Sequence, residues 1–282
     1  MQEPDYKNIC TQVRRIAKEA GEFIRKERKN FTPDKIEKKG EHDLVSYVDR
    51  GAEKIIVGQL RPLIKGARFL TEEGSSSDIK QNAESPYCWI IDPLDGTTNF
   101  THSLPPYCVC IALAENDQIV VGVVYEVTQK ECFYAWKDSK AYMNGKIIRV
   151  SETDVLKDSL IATGFSYNST KRLDEFNNQM NYFLKYTHGA RRIGSAAADL
   201  VYVGAGRFDA FSQFNLSPWD VAAASLIVER AGGRVSDYKG GNNFIFGKEI
   251  VATNPHLYKE YMDIIHTTTS RTHKNDNPKT DR

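Results

Sequence analysis

The residues best placed to do chemistry lie in the run WIIDPLDGTTNF, from Trp89 to Phe100. An apolar stretch delivers Asp92 at a strand end, Pro93 forces a turn, and Asp95 follows. Gly96-Thr97-Thr98-Asn99 then opens a short helical turn that Pro105 and Pro106 keep from extending. Two carboxylates therefore converge where backbone N–H groups point outward. The carboxylates suit a hard cation, and the N–H groups suit a phosphate. Each aspartate has an ordinary use as well, Asp92 as a strand end and Asp95 as a helix cap. Their company tips the balance. Glu72 and Glu73 end the preceding strand, Asp49 begins a helix, and Asp220 begins another in LSPWDVAA. Asp220 can cap as well as ligate: Ser217 reads as the N-cap, Pro218 as the first helical residue and Asp220 as the third. One carboxylate oxygen then serves the cap and the other is left for a metal.

PLDGT superficially resembles the DxDGT motif of haloacid-dehalogenase-like phosphatases. Pro93 stands where that motif carries its nucleophilic aspartate, so that chemistry is excluded. Four elements, TEEGS, WIIDPLDGTTNF, RRIGSAAADL and PWDVAAASLIVERAGG, resemble the inositol monophosphatase family in order and spacing, over about Ile9 to Ile265. The resemblance implies an α/β (α+β) fold, the layered α/β/α/β/α sandwich of the inositol monophosphatase and sugar phosphatase type. It implies magnesium-dependent hydrolysis of a small phosphate monoester, foremost myo-inositol monophosphate, by activated water and without a phosphoenzyme. Carried over by motif, Glu72, Asp92, the Leu94 carbonyl, Asp95 and Asp220 hold two or three Mg2+ ions. Asp49 and Thr97, with Glu72, position and deprotonate the water. Leu94, Asp95, Gly96, Thr97 and Asp220 surround the phosphate, and Gly194, Ser195, Ala196 and Gln213 hold the rest of the substrate. Lys38 matches a family lysine on a mobile loop near the metals, and Glu73 is a further neighbouring acid. Lithium sensitivity and a homodimer are implied too. Gln213 departs from the pattern, since members acting on inositol phosphates usually carry glutamate there; glutamine keeps an acceptor and loses the charge. Bisphosphate nucleotidases and fructose-bisphosphatases share the acidic core, and a regulatory protein that keeps the fold without turnover is the reading from another class.

The elements that must position these residues are legible as patterns. Ile9, Val13, Ile16, Ala20 and Ile24 form one stripe of an amphipathic helix, and Ala52, Ile55, Ile56 and Leu60 form that of a second. Short strands follow: ARFLTEE, CWIID, YCVCIALAE, IVVGVVYEV, ECFYAW and KIIRV, with Asn144-Gly145 as a hairpin signal. Such a succession predicts an antiparallel meander. After a boundary near 150–158 the pattern alternates. SLIATGF is a strand, and a helix follows with Leu173, Phe176, Met180, Phe183 and Leu184 on one face. Ser195 opens a small-residue helix, FDAFS is a strand, an apolar helix runs from Pro218 to Ala231, IVATN is a strand and HLYKEYMDII a last helix. The expectation is one catalytic domain over 1–265, with an antiparallel-sheet half (1–154) and an alternating half (155–265), and a disordered polar tail over 266–282.

Composition excludes several classes. Lys plus Arg (38) nearly cancels Asp plus Glu (37), so no global field draws the chain onto nucleic acid or an anionic membrane. Phosphate recognition must be local, and the expected partner is a small phosphorylated substrate. Apolar runs are too short to span a bilayer, and MQEPDYKNIC lacks the marks of a signal peptide. Five cysteines form no regular framework; Cys108 and Cys110 read as small buried strand residues. A reducing cytoplasm is the expected location.

Overall fold

The periodic stripes become buried faces. In the computed structural model, which describes residues 4–32, 36–38, 44–74, 84–165 and 172–275, helix α1 (Tyr6–Arg28) buries Ile9, Val13, Ile16, Ala20 and Ile24 as the spacing predicts. Two short strands, β1 (Ile36–Lys38) and β2 (Leu44–Ser46), pair antiparallel and lead directly into α2 (Tyr47–Leu60). On α2 the buried stripe is Val48, Ala52, Ile56, Val57 and Leu60, while Ile55 sits at its half-exposed edge.

A seven-stranded sheet comes next, in the order β3 (Arg68–Thr71), β4 (Tyr87–Asp95), β5 (Cys108–Glu115), β6 (Gln118–Glu126), β7 (Glu131–Trp136), β8 (Tyr142–Met143) and β9 (Lys146–Ile147). Asn144 and Gly145, both at positive φ, make the β8–β9 turn. From β4 onward the sheet is the expected antiparallel meander. The β3–β4 pair is parallel instead. Alternation of side chains is the same in either direction, so the pattern of ARFLT could not tell them apart.

The second sheet is mixed, in the order β11 (Gly189–Arg191), β10 (Leu160–Thr163), β12 (Ala210–Phe214), β14 (Glu249–Thr253), β13 (Arg234–Ser236). Between the sheets lie α5 (Ala196–Gly204) and α6 (Pro218–Arg230), packed in one apolar cluster that takes Ile90, Ala112 and Val124 from the first sheet and Ala162, Phe211 and Ala252 from the second. Helices α1 and α2 cover the outer face of the first sheet. Helices α4 (Leu173–Tyr186) and α7 (Tyr258–Asn275) cover that of the second. The layers run α/β/α/β/α.

Two expectations about helices are corrected. Leu173 and Leu184 are 45% and 62% exposed; the inner face of α4 is Glu175, Phe176, Gln179 and Phe183. Arg172 compensates the buried Glu175 with paired hydrogen bonds of 2.6 and 2.8 Å. The last helix also continues past Ile265 to Asn275, where a tail was expected. Thr267, Thr268 and Thr269 turn their hydroxyls onto carbonyls one turn back, which satisfies these hydroxyls within the helix. Residues 276–282 of that expected tail lie outside the described residues. Among the described residues no helix is long and apolar enough to cross a membrane.

α6 lies against the first sheet at Gly122 of β6. A Cβ there would stand 2.4 Å from the Ala223 carbonyl oxygen, which is backbone and cannot swing aside. Gly122→Ala is expected to force α6 off the sheet and to cost about 2–3 kcal/mol. Thermal unfolding should show a midpoint lower by roughly 4–12 °C, and an unchanged midpoint would mean that this close approach is not needed.

Candidate active site

The parity of β4 decides where Asp92 points. Trp89 and Ile91 join the cluster under α1 and α2, whereas Ile90 faces the α5–α6 layer. Asp92 follows Ile90 in phase and so meets the start of α6, where Asp220 sits. Its Cα pairs with that of Cys110, and the next pairing is Asp95 with Cys108, so the β4 ladder is interrupted at Pro93-Leu94. That interruption is the turn which the proline predicts. β3 runs parallel to β4 with Thr71 opposite Ile91, which brings Glu72 alongside Asp92.

Glu72, Asp92, Asp95 and Asp220, contributed by three separate segments, are thus brought together. Asp92 is 2% exposed, and burial raises its pKa well above the usual carboxylate range; the charges of Glu72, Asp95 and Asp220 and a hydrogen bond with Glu72 add to the rise. Asp95 is raised by burial too, opposed by bonds from Ser195 and from the N–H groups of Ala197 and Ala196. Burial, then repulsion from Asp95, pushes Asp220 up to about 7, against a hydrogen bond from the Ser217 N–H. That bond, at 2.8 Å, is the acidic half of the expected capping box. Among the described residues none of Asp92, Asp95 and Asp220 has a salt bridge to Lys, Arg or His.

A second constellation adjoins the first. Asp49, 1% exposed at the start of α2, accepts 2.8 and 2.6 Å bonds on Oδ2 from the Ser46 N–H and hydroxyl. Its Oδ1 accepts the Thr97 hydroxyl at 3.0 Å, and the same hydroxyl lies 3.1 Å from the Leu94 carbonyl oxygen. Desolvation raises the Asp49 pKa, with the bonds from Ser46 and Thr97 opposing. Thr97 opens the short helix α3 (Thr97–Thr101), whose N-cap Gly96 has φ 98° and no side chain to spend on the first N–H groups. A Cβ on Gly96 would lie 3.1 Å from the Pro106 carbonyl oxygen and 3.3 Å from that of Gly194. Glycine is required there by both conformation and space.

In and beside the segment Gly194–Ala196, which the motif assigns to substrate, two groups reach Asp95. The Ser195 hydroxyl donates to Asp95 Oδ2 at 2.6 Å and the Ala197 N–H donates to the same oxygen at 2.8 Å. The N-terminus of α5 holds Asp95 in place. Gln213 lies on β12 with its amide against the backbone of Gly164, where a Cβ would fall 1.8 Å from Oε1. Among the described residues no hydrogen bond joins it to Asp92, Asp95 or Asp220. Glu73 donates its backbone N–H at 2.8 Å to Glu53, a buried acid of α2. Lys38 belongs to a strand rather than a loop, paired with Leu44 on the ribbon that feeds Asp49; its side chain lies outside the described ones.

The sequence profile of the inositol monophosphatase family matches residues 5–272. The chain belongs to the inositol monophosphatase family. It is 39% identical over 254 residues to the Nus factor SuhB of Pseudomonas aeruginosa, an alignment covering 89% of this chain and 93% of that one. Among solved structures it is similar to the extragenic suppressor protein SuhB of Bartonella henselae, with TM-score 0.84, 35% identity and 92% and 98% of the two chains covered. It is likewise similar to the Thermotoga maritima IMPase, with TM-score 0.81, 32% identity and 92% and 96% covered.

Within this family frame several residues escaped the motif reading. Asn99 donates from Nδ2 to the Pro106 and Ile193 carbonyls, at 2.8 and 2.7 Å, and so ties the α3 turn to the α5 turn. Ser46 aims Asp49; the spacing Ser46-Tyr47-Val48-Asp49 is a capping-box signal that could have revealed it. Asp199 on α5 is buried, with no hydrogen bond to Oδ1 among the described residues. Its pKa is raised well above normal by burial, then by Asp95, with Arg192 opposing. A single acid inside an apolar helix gave no signal of that.

The donors fit magnesium in kind, being oxygen without nitrogen or sulfur. Cys108 and Cys110 are buried thiols whose pKa burial raises far up, so neither offers a thiolate. Among the described residues no three His, Cys, Asp or Glu side chains stand arranged as a cation cage. Glu72 and Asp92 are hydrogen-bonded to each other and Asp95 is turned onto α5. Magnesium needs one or two carboxylates per ion and completes its octahedron with water. Asp92, Asp95 and Asp220, crowded and desolvated with no salt bridge to a base among the described residues, are the kind of cluster that such ions relieve.

Proposed function

We propose that the chain is a magnesium-dependent phosphatase that hydrolyses a small phosphate monoester, with an inositol monophosphate as the first substrate to test. The observation that carries the reading is the convergence of Glu72, Asp92, Asp95 and Asp220 beside the Thr97–Asp49 pair. In this reading Glu72, Asp92, the Leu94 carbonyl, Asp95 and Asp220 hold the ions. When bound, magnesium neutralises the phosphate charge and lowers the pKa of water.

The chain's own residues do the rest. Thr97, its hydroxyl held between Asp49 and Leu94, orients the attacking water. Asp49, made more basic by burial, takes the proton through that hydroxyl. First-turn N–H groups of α3 receive the phosphate oxygens. Ser195, Ala196 and Ala197 keep Asp95 from rotating away. Gln213 offers an amide acceptor to a polyol hydroxyl in place of the carboxylate usual in members acting on inositol phosphates.

The test is phosphate release from inositol 1-phosphate, adenosine bisphosphate, fructose bisphosphate and histidinol phosphate, with and without magnesium. The highest kcat/KM is expected for the inositol ester, and none of the four should turn over with chelator present. Release no faster than that of an Asp92→Asn control would sink the enzymatic reading.

A second role is suggested by the name Nus factor carried by the Pseudomonas relative. We propose it as a binding function that does not need turnover. An Asp95→Asn chain that replaced the wild type in a deletion strain would support it; one that failed as completely as no protein would not.

A further inference from the structure

We infer that the basic cleft at the far end of α6 is a second phosphate site, shaped for a nucleotide. The cleft has a volume of about 420 Å3 and is formed by the segment after β9, the end of α6 and the turn after β14. That volume falls in the range of small-molecule sites. Its walls carry Lys140, Arg149, Arg230 and His256. Lys140 and Arg149 are exposed, and neither they nor Arg230 forms a salt bridge among the described residues. The Arg230 Nε–H is shielded from water and has no acceptor. The one acid on the wall, Glu152, is 87% exposed and lies 3.5 Å from His256.

Several cations around one concavity repel each other and focus a positive potential, and an anion relieves both effects. The whole chain is nearly neutral, at +1, so this concentration is local. A helix C-terminus is itself a poor place for an anion. Here the Arg230 and Ala231 carbonyls are already covered, by the Ala141 and Val150 N–H groups at 3.2 Å each. Part of the remaining lining is apolar, with Ser151 as a further polar residue. Ile147 is 51% exposed at the rim, with Ile148, Val150 and Pro255 beside it. A ring stacked on this shelf with its phosphate among Lys140, Arg149 and Arg230 satisfies both surfaces. Inorganic phosphate would use only one of them.

This site is separate from the acids. Asp220 and Arg230 stand ten residues apart on one helix, about 15 Å at 1.5 Å per residue. A nucleoside phosphate has two sources: a free nucleotide, or a nucleotide unit of single-stranded RNA.

The experiment is calorimetric titration of the full chain, in chelator, with AMP, inorganic phosphate and a short single-stranded RNA. AMP should bind more tightly than inorganic phosphate. Lys140→Glu with Arg149→Glu should weaken AMP by about tenfold or more, the loss of charge-assisted contacts. Inositol phosphate turnover should stay within about twofold, as expected of surface changes remote from the chemistry. Lys140→Ala with Arg149→Ala serves if charge reversal lowers the melting point. RNA binding tighter than AMP and steeply salt-dependent assigns the polymer; equal affinity per site assigns the free nucleotide. No binding at millimolar AMP overturns the proposal. So does binding that Asp95→Asn abolishes and the double variant leaves intact, because the ligand then sits at the acids.

Discussion

Asp95→Asn is expected to lower kcat by about 10³-fold or more, since one metal-holding carboxylate is worth several kcal/mol to a transition state whose barrier is mostly charge. The same change should make the metal-free protein more stable at pH 8. The amide oxygen still accepts from the Ser195 hydroxyl and the Ala197 N–H, which now meet at Asp95 Oδ2. What disappears is a negative charge that pushes up the pKa of both Asp92 and Asp220. Relief of that repulsion is the source of the expected gain. The two readouts are activity and chelator-treated thermal unfolding. Lost activity with a lower melting point would mean that Asp95 is a structural anchor whose removal damages the fold. Retained activity would remove the carboxylate from the mechanism altogether.

How much of this was legible before the structure depends on whether the cause is local. Asp92, Asp95 and Asp220 could be singled out because each stands in a short run whose backbone consequence is fixed: a strand end, a turn after Pro93, a helix start after Pro218. Their meeting is not local. It depends on the phase of β4, which turns Asp92 toward the α5–α6 layer, and on Gly122, which lets α6 approach the sheet. The layered fold followed from apolar periodicity because periodicity records which face is buried. It does not record strand direction, hence the parallel β3–β4 pair. Nor does it show what compensates a buried acid, so Glu175 was missed and Leu184 was misplaced on the inner face of α4. Asn99 and Ser46 act through bonds to backbone and carboxylate partners that only the folded chain supplies. The hydroxyl run in α7 had the composition of a tail, yet it continues the helix with its hydroxyls bonded to the preceding turn. Gln213 was visible as a departure, yet its packing on Gly164 ties the specificity question to the β10 end as well.

Stability of the metal-free protein should fall as pH rises, and magnesium should reverse most of that fall. The folded pKa values of Asp92, Asp95 and Asp220 are raised above their unfolded values, Asp220 to about 7. A raised carboxylate contributes stability that is fully present below its unfolded pKa, about 3.9, and is lost as pH climbs through the folded value. The metal-free protein should therefore lose stability between about pH 4 and pH 7 and retain the penalty at pH 8. Magnesium needs the ionised carboxylates, so its benefit grows over the same interval. At a concentration about a hundred times its Kd it adds roughly 2.7 kcal/mol. For a chain of this size that raises the melting point by about 5–10 °C. The shift should be large at pH 8 and small at pH 5. An equal magnesium shift at both values would place the ions on groups that do not titrate in this interval, and no shift at either would mean that the clustered acids do not form a cation site.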